Sequence, residues 1–77
     1  MRNYMTDLEA VRKEGWNLMF VREQTPEICL EAVRQDGSAL HFVEDQTPEI
    51  CLEAVRQDGR AIKYVEEEFR GYVLQNL

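Results

Sequence analysis

The fourteen residues QTPEICLEAVRQDG stand at positions 24–37 and again at positions 46–59. The step of 22 residues extends beyond this block, because residues 24–45 and 46–67 match at 17 of 22 positions. Residues 2–23 match the second copy at 9 of 22 positions. A fixed period of this length is typical of one structural unit that stacks on copies of itself.

Three copies and the beginning of a fourth account for the whole sequence. The segment Tyr72-Val73-Leu74 stands one step after Ile50-Cys51-Leu52, but the glycine that follows in the other copies is missing. A chain of 77 residues has the length of one domain. We therefore predict a single domain, 1–77, made of repeats 2–23, 24–45 and 46–67 and a partial capping repeat, 68–77.

Each repeat begins with the signals of an α-helix. Thr25 is a good N-cap residue and Pro26 suits the first helical position. Gly37 is expected to end this helix in the left-handed conformation. Apolar residues of the segment cover a wide arc of the helical wheel, which predicts contact with neighbours on two sides.

A second, shorter helix is predicted from Ser38 to about Asp45, because its apolar residues have helical spacing. A strand over 40–43 is a weaker alternative, since His41 interrupts the apolar run without true alternation. The predicted fold is all-α: a short helical-hairpin repeat array, solenoid-like, with three 22-residue repeats plus a C-terminal capping helix.

The two ends of the array differ in sequence. Thr6 and Asp7 replace Ile28 and Cys29 in the first copy, which is expected of a terminal repeat with a polar outer face. Gly71 interrupts the last segment, so the final helix is expected to be short or bent. The other end of the stack is expected to be covered by Phe69, Tyr72, Val73, Leu74 and Leu77.

Charge excludes some partners. The net charge is −6 and the pI is about 4.7, which disfavours nucleic acid and anionic membranes and is compatible with a basic partner. No segment approaches the roughly 20 apolar residues of a membrane span. The N-terminus has no apolar signal-peptide core, so a chain that starts naturally at Met1 is expected to be cytoplasmic.

The sequence offers little for catalysis or metal binding. Cys29 and Cys51 occupy the same position in adjacent copies, and stacked helices lie roughly 8–10 Å apart, too far for a disulfide. No metal-ligand spacing, phosphate-binding glycine loop or nucleophile motif is present. His41, the single histidine, has no equivalent in the other copies. We predict no enzyme, no cofactor and no metal.

Positions that vary between copies are the candidates for contact with a partner. The first and fourth positions of the second helix vary and lie one turn apart, so they form a row along the array. Repeat arrays commonly bind through such a surface. An alternative is that Trp16 folds back on Tyr4 or Met5. The candidate partner-binding residues are Trp16, Met19, Ser38, His41, Arg60 and Lys63.

Two functions remain open. The first is a protein-interaction or scaffold module that presents this row to an unidentified protein partner. The second is a self-assembling structural unit, in which the ends of the stack pair between chains. The corresponding state of the chain is a monomer or a weak homodimer.

The motif LEAVRQDGSALHFV, repeated as LEAVRQDGRAIKYV, resembles a family of short bacterial helical repeats catalogued as domain of unknown function 4116. The resemblance covers residues 2–67, and the first copy departs from it at Asn17, where Ala39 and Ala61 stand in the others. It implies an all-helical repeat module. It transfers no catalytic residue, because the family has no assigned activity.

Overall fold

The computed structural model describes residues 6–77, which form seven helices and no strand. The predicted all-α fold is confirmed. Four are α-helices: α1 (Asp7–Lys13), α2 (Pro26–Gln35), α3 (Pro48–Gln57) and α4 (Glu67–Asn76). Three are 3-10 helices: η1 (Gly15–Phe20), η2 (Gly37–Phe42) and η3 (Gly59–Tyr64). No helix of the described residues is long and apolar enough to cross a membrane.

The starts of α2 and α3 are as predicted. The Thr25 hydroxyl accepts the backbone N–H of Ile28 at 3.2 Å, and Thr47 caps Ile50 at the same distance. Proline occupies the first turn of both helices, where its missing N–H costs nothing. Helix α1 begins three residues later in the repeat, at Thr6, whose side chain and that of Glu9 form a reciprocal capping box.

The second helix of each repeat is a 3-10 helix and not the α-helix that the spacing predicts. It begins at the glycine and ends at Phe42, so the predicted end near Asp45 is also wrong. The Val43 N–H donates to the Leu40 carbonyl, 3.0 Å away, which is the i→i+3 bond of a 3-10 turn. The Asp36 carboxylate accepts the Ser38 N–H and so fixes the tight first turn.

Gly37 does not adopt the left-handed conformation, and no residue from 6 to 77 has a positive φ of that kind. Helix α2 ends instead because Asp36 is extended. Glycine is required at this point because the next α-helix comes too close for a side chain. A Cβ atom on Gly15 would collide with the Ala32 carbonyl, and one on Gly37 with the Ala54 carbonyl.

The α-helices stack side by side in one layer and the 3-10 helices in a second, as the wide apolar arc of the first helix predicted. The core lies between the layers and is entirely apolar within the described residues. Its largest fully buried side chains are Val11, Leu18, Val33, Leu40, Ile50, Cys51 and Val73.

One glutamine in each of the second and third repeats joins the two ends of that repeat by hydrogen bonds. The Gln24 side chain donates to the Phe42 carbonyl at 2.8 Å and accepts the Glu44 N–H at 3.0 Å. Gln46 makes the same two bonds 22 residues on, to Tyr64 and Glu66. These bonds join the segment before each α-helix to the segment after each 3-10 helix. One side chain thus satisfies backbone groups that no helix pairs.

Helix α4 departs from the repeat. Val73 is buried in the place of Cys51, but the position of Ala32 and Ala54 is taken by the exposed Asn76. The close approach to the glycine is also missing at this end, since nothing lies within 4 Å of a Cβ atom built on Gly59.

Two predictions for the C-terminal end are wrong. Gly71 does not interrupt α4, which continues from Glu67 to Asn76 because an exposed glycine with open space around it is tolerated in a helix. Of the five residues expected to cover the stack, only Val73 is buried, and Phe69 is partly buried. The side chains that remain exposed are Tyr72, Leu74 and Leu77.

The two glycines provide a matched test of the close approach. We expect Gly37→Ala to lower the free energy of unfolding by about 1–3 kcal/mol, because the added methyl group forces the Ala54 carbonyl away. Gly59→Ala is expected to raise it by up to about 1 kcal/mol, because alanine reduces the entropy of the unfolded chain without a clash. Thermal unfolding followed by circular dichroism measures both. Equal effects of the two substitutions would contradict this account of the repeat.

Candidate interaction surface

The three 3-10 helices form one side of the molecule, which we call the 3-10 face (residues 15–20, 37–42 and 59–64). A 3-10 helix has three residues per turn, so residues three apart, such as Trp16 and Met19, are eclipsed. The variable positions are therefore aligned more closely in the observed 3-10 helices than they would be in the predicted α-helices. Five of the six candidate residues are exposed and Ser38 is half-buried; the exposed ones are Trp16, Met19, His41, Arg60 and Lys63.

Trp16 is neither a core residue nor a free side chain. Its indole N–H donates to the Ser38 hydroxyl at 2.7 Å, and its ring meets the edge of Phe42 with centroids 5.2 Å apart. The side chain nevertheless remains 42% exposed. The alternative contact with Tyr4 or Met5 lies outside the described residues. Trp16 is thus held in one orientation with much of its surface open.

Aromatic residues at the last position of the 3-10 helices link the repeats, and sequence reasoning did not place them in the candidate site. His41 lies against Phe42 of its own repeat, 5.1 Å between centroids, and against Tyr64 of the next, 4.9 Å. The Lys63 ammonium stands 5.3 Å from the centre of the Tyr64 ring. The signal was present, since Phe20, Phe42 and Tyr64 recur at the 22-residue step.

Two aspartates form hydrogen bonds with members of the row of variable residues. The Asp36 carboxylate accepts both the Ser38 N–H and the Ser38 hydroxyl. Asp58 accepts the Arg60 N–H and two guanidinium N–H groups, at 3.0–3.1 Å. These hydrogen bonds from Arg60 hold the pKa of the Asp58 carboxyl below its usual value and raise the pKa of Arg60. The Arg60 side chain of this pair is largely exposed, so solvent screens the interaction and it contributes little stability.

A shallow cleft of about 290 Å³ opens beside η3. It lies where the second and third 3-10 helices meet, and polar side chains dominate its walls. Its lining residues are Asp36, Ser38, Asp58, Arg60, Lys63 and Tyr64.

The two thiols are buried and free, as the repeat spacing predicted. Each donates to a glutamine oxygen, Cys29 to Gln24 at 3.5 Å and Cys51 to Gln46 at 3.1 Å. Burial raises the pKa of both thiols, that of Cys51 to about 11. A protonated, inaccessible thiol is a poor nucleophile and a poor metal ligand. Residues 6–77 contain no group of three metal-ligating side chains.

The half-exposed state of Trp16 can be tested by its removal. We expect Trp16→Ala to leave the protein folded at 25 °C with a loss of about 1–2 kcal/mol, because only a hydrogen bond and one aromatic contact disappear. The matched control is Leu40→Ala in the adjacent helix, which is fully buried. This control should cost about 2–5 kcal/mol. Both are measured by urea unfolding followed by circular dichroism. If Trp16→Ala unfolded the protein at 25 °C, Trp16 would have to be counted as a core residue.

Comparison with known proteins supports the family inferred from the repeated motif. The family described as Domain of unknown function (DUF4116) matches residues 25–70, which is more than half of the chain. The match covers most of the second and third repeats, including η2, η3 and the start of α4. Searches of curated proteins and of solved structures found no match. The chain belongs to the DUF4116 family of domains of unknown function.

Proposed function

We propose that this protein is an interaction module that binds a protein partner through the 3-10 face. The observation that carries the proposal is the state of Trp16 and Met19. Both are large, lie one 3-10 turn apart and remain 42% and 53% exposed. Apolar side chains exposed together on a small soluble domain commonly mark a binding surface.

Preorganisation supports the same proposal. Trp16 is fixed by Ser38 and Phe42, and His41 is fixed by two aromatic rings. A side chain that is already ordered loses less conformational entropy when a partner binds. Tryptophan is also enriched among the residues that dominate interface energies. The row therefore has the composition and the rigidity of an interface centre.

A catalytic role has less support from the same residues. The thiols are buried and protonated, and the described contacts of His41 are with rings and not with a hydroxyl or a carboxylate. We accordingly propose a non-enzymatic function, without a cofactor. Two free, buried thiols suit a reducing compartment, which supports a cytoplasmic location.

The proposed surface is tested by partner capture with matched variants. The wild-type protein, Met19→Glu and Gln75→Glu are immobilised at equal density and exposed to an extract of the cells that produce the protein. Both substitutions add one negative charge at an exposed position, but Gln75 lies on α4. We expect Met19→Glu to weaken retention of the partner at least about tenfold, because a charge would be buried in the apolar part of the interface.

The control variant should retain the partner as the wild type does. Each captured protein is then purified and its affinity measured by titration, so that retention is converted to a dissociation constant. A partner that binds Met19→Glu and the wild type equally well would show that the 3-10 face is not its binding surface.

Self-association through α4 is the second candidate function, and one observation favours it. In α3, Ile50, Leu52 and Val55 are buried, whereas the equivalent residues of α4 are exposed. The opposite end of the stack carries the exposed polar residues Thr6 and Asp7. An apolar end matches another apolar end better than a polar one, so the pairing would be tail to tail. The exposed residues are Tyr72, Leu74 and Leu77.

Light scattering over a concentration series with reductant tests this pairing. We expect a weak dimer that dissociates on dilution, because one face of a ten-residue helix is small for a stable interface. The double substitution Leu74→Glu/Leu77→Glu should leave only monomer, while Met19→Glu should not change the mass. A wild-type protein that is monomeric at every concentration would exclude the second candidate.

A further inference from the structure

The 3-10 face is unlike the rest of the molecule in charge. The chain has 15 aspartate and glutamate residues, yet none lies within the three 3-10 helices. Those helices carry two full cations, Arg60 and Lys63, both in η3. Because the whole chain has a net charge of −6 and the 3-10 helices carry +2, the rest of the chain carries −8.

Three carboxylates stand directly before the 3-10 helices. Glu14, before η1, is exposed and makes no side-chain cap bond, whereas Asp36 and Asp58 are both engaged. Asp36 accepts two hydrogen bonds from Ser38 and is half-buried. The Asp58 side chain is only 22% exposed, whereas the Arg60 side chain that covers it is 88% exposed. An approaching molecule thus meets the guanidinium of Arg60 before the carboxylate beneath it. The Lys63 ammonium makes no ion pair within residues 6–77 and rests near the Tyr64 ring.

The face is also divided along its length. Trp16 and Met19 form an apolar end on η1, and the two cations form a basic end on η3. His41 lies between them. Neighbouring helices in a stack are roughly 8–10 Å apart, so the two ends are separated by roughly 16–20 Å. This distance corresponds to about 11–13 residues of an α-helix.

We propose that the 3-10 face binds an acidic, amphipathic segment of a partner protein. The apolar side chains of that segment contact Trp16 and Met19, and its carboxylates contact Arg60 and Lys63 at the cleft beside η3. The inference rests on the proposed function and adds the chemistry of the partner. Although the net charge of the whole chain is compatible with a basic partner, the face itself is complementary to an acidic one.

A nucleic acid is a poorer match to the same face. Two cations neutralise few phosphates, and the acidic remainder of the molecule repels a polyanion as a whole. A short peptide avoids this repulsion, because it contacts the face alone. The apolar end of the face has no cation that could bind a phosphate, whereas an amphipathic peptide has apolar side chains that fit there.

Synthetic peptides of about 14 residues test the proposal, with the single tryptophan, Trp16, as the fluorescent reporter. The first peptide has leucine and phenylalanine at one end and glutamates at the other, on a helix-forming alanine background. The second replaces the glutamates by lysines, and the third replaces the two apolar residues by alanine. Each peptide is made in both chain directions, and a thymidine oligonucleotide serves as the nucleic-acid probe.

We expect the first peptide alone to shift the fluorescence of Trp16 in a saturable manner. Its affinity should fall about tenfold for Arg60→Glu/Lys63→Glu and less than about threefold for Lys13→Glu/Arg22→Glu. The two variants change the net charge equally, but Lys13 and Arg22 lie outside the 3-10 helices. Lys63→Gln, which leaves the Asp58 pair intact, should show a smaller loss in the same direction. Circular dichroism confirms that each variant is folded.

Several results would overturn the inference. They are equal binding of the glutamate and lysine peptides, no saturable binding of any peptide, equal losses in the two charge variants, and tighter binding of the oligonucleotide. The proposed function fails separately. If no acidic peptide binds but a captured partner still depends on Met19, the 3-10 face remains an interaction surface and only the partner chemistry is wrong.

Discussion

The contact between a glycine and the last turn of the next α-helix determines how the repeats stack. Gly15 and Gly37 each lie so close to an alanine carbonyl that a methyl group would not fit. The Gly37 N–H also donates to the Gln57 side chain at 2.6 Å. This contact brings the starts of η1 and η2 against the ends of α2 and α3. It sets the distance between repeats, and the two layers follow from it.

The second helix is a 3-10 helix in all three repeats, including η3, where nothing lies close to the glycine, so this geometry does not depend on the glycine contact alone. The chain must turn sharply at Asp36 and then pass along the neighbouring repeat without moving away from it. The aspartate closes a tight turn immediately after the α-helix, and the 3-10 geometry continues that turn for six residues. Its eclipsed positions align the variable residues in a row. A packing requirement of the repeat therefore produces an ordered, solvent-facing surface on which residues can change without loss of the fold.

The repeat, the helix starts and the buried thiols could be predicted from sequence because each depends on local chemistry or on the period itself. Thr25 caps its helix through atoms three residues away, and no knowledge of the neighbouring repeat is needed. The role of Gly37 could not be predicted in this way, because a C-terminal glycine usually indicates a left-handed turn. Glycine is required at this position because of the Ala54 carbonyl of the next repeat, 17 positions along the chain. The exposure of Trp16 likewise depends on Ser38 and Phe42, which only the stack brings near.

Copies two and three differ at five positions, all of them outside the identical block. Within the identical block, every residue that contacts the core or closes the repeat is kept, including Gln24/Gln46 and Cys29/Cys51. Ser38 becomes Arg60 and His41 becomes Lys63, and both changes add cations to the outer row. The buried Ala39 and Ala61, one residue after the first of these positions, remain alanine. The pairs Leu40/Ile62 and Phe42/Tyr64 also differ, but they exchange similar side chains at buried or partly buried positions. The changes of charge lie on the outer row, and they make η3 basic in a chain that is acidic overall. The charge of the 3-10 face can therefore differ between copies, while the buried alanines next to it stay the same.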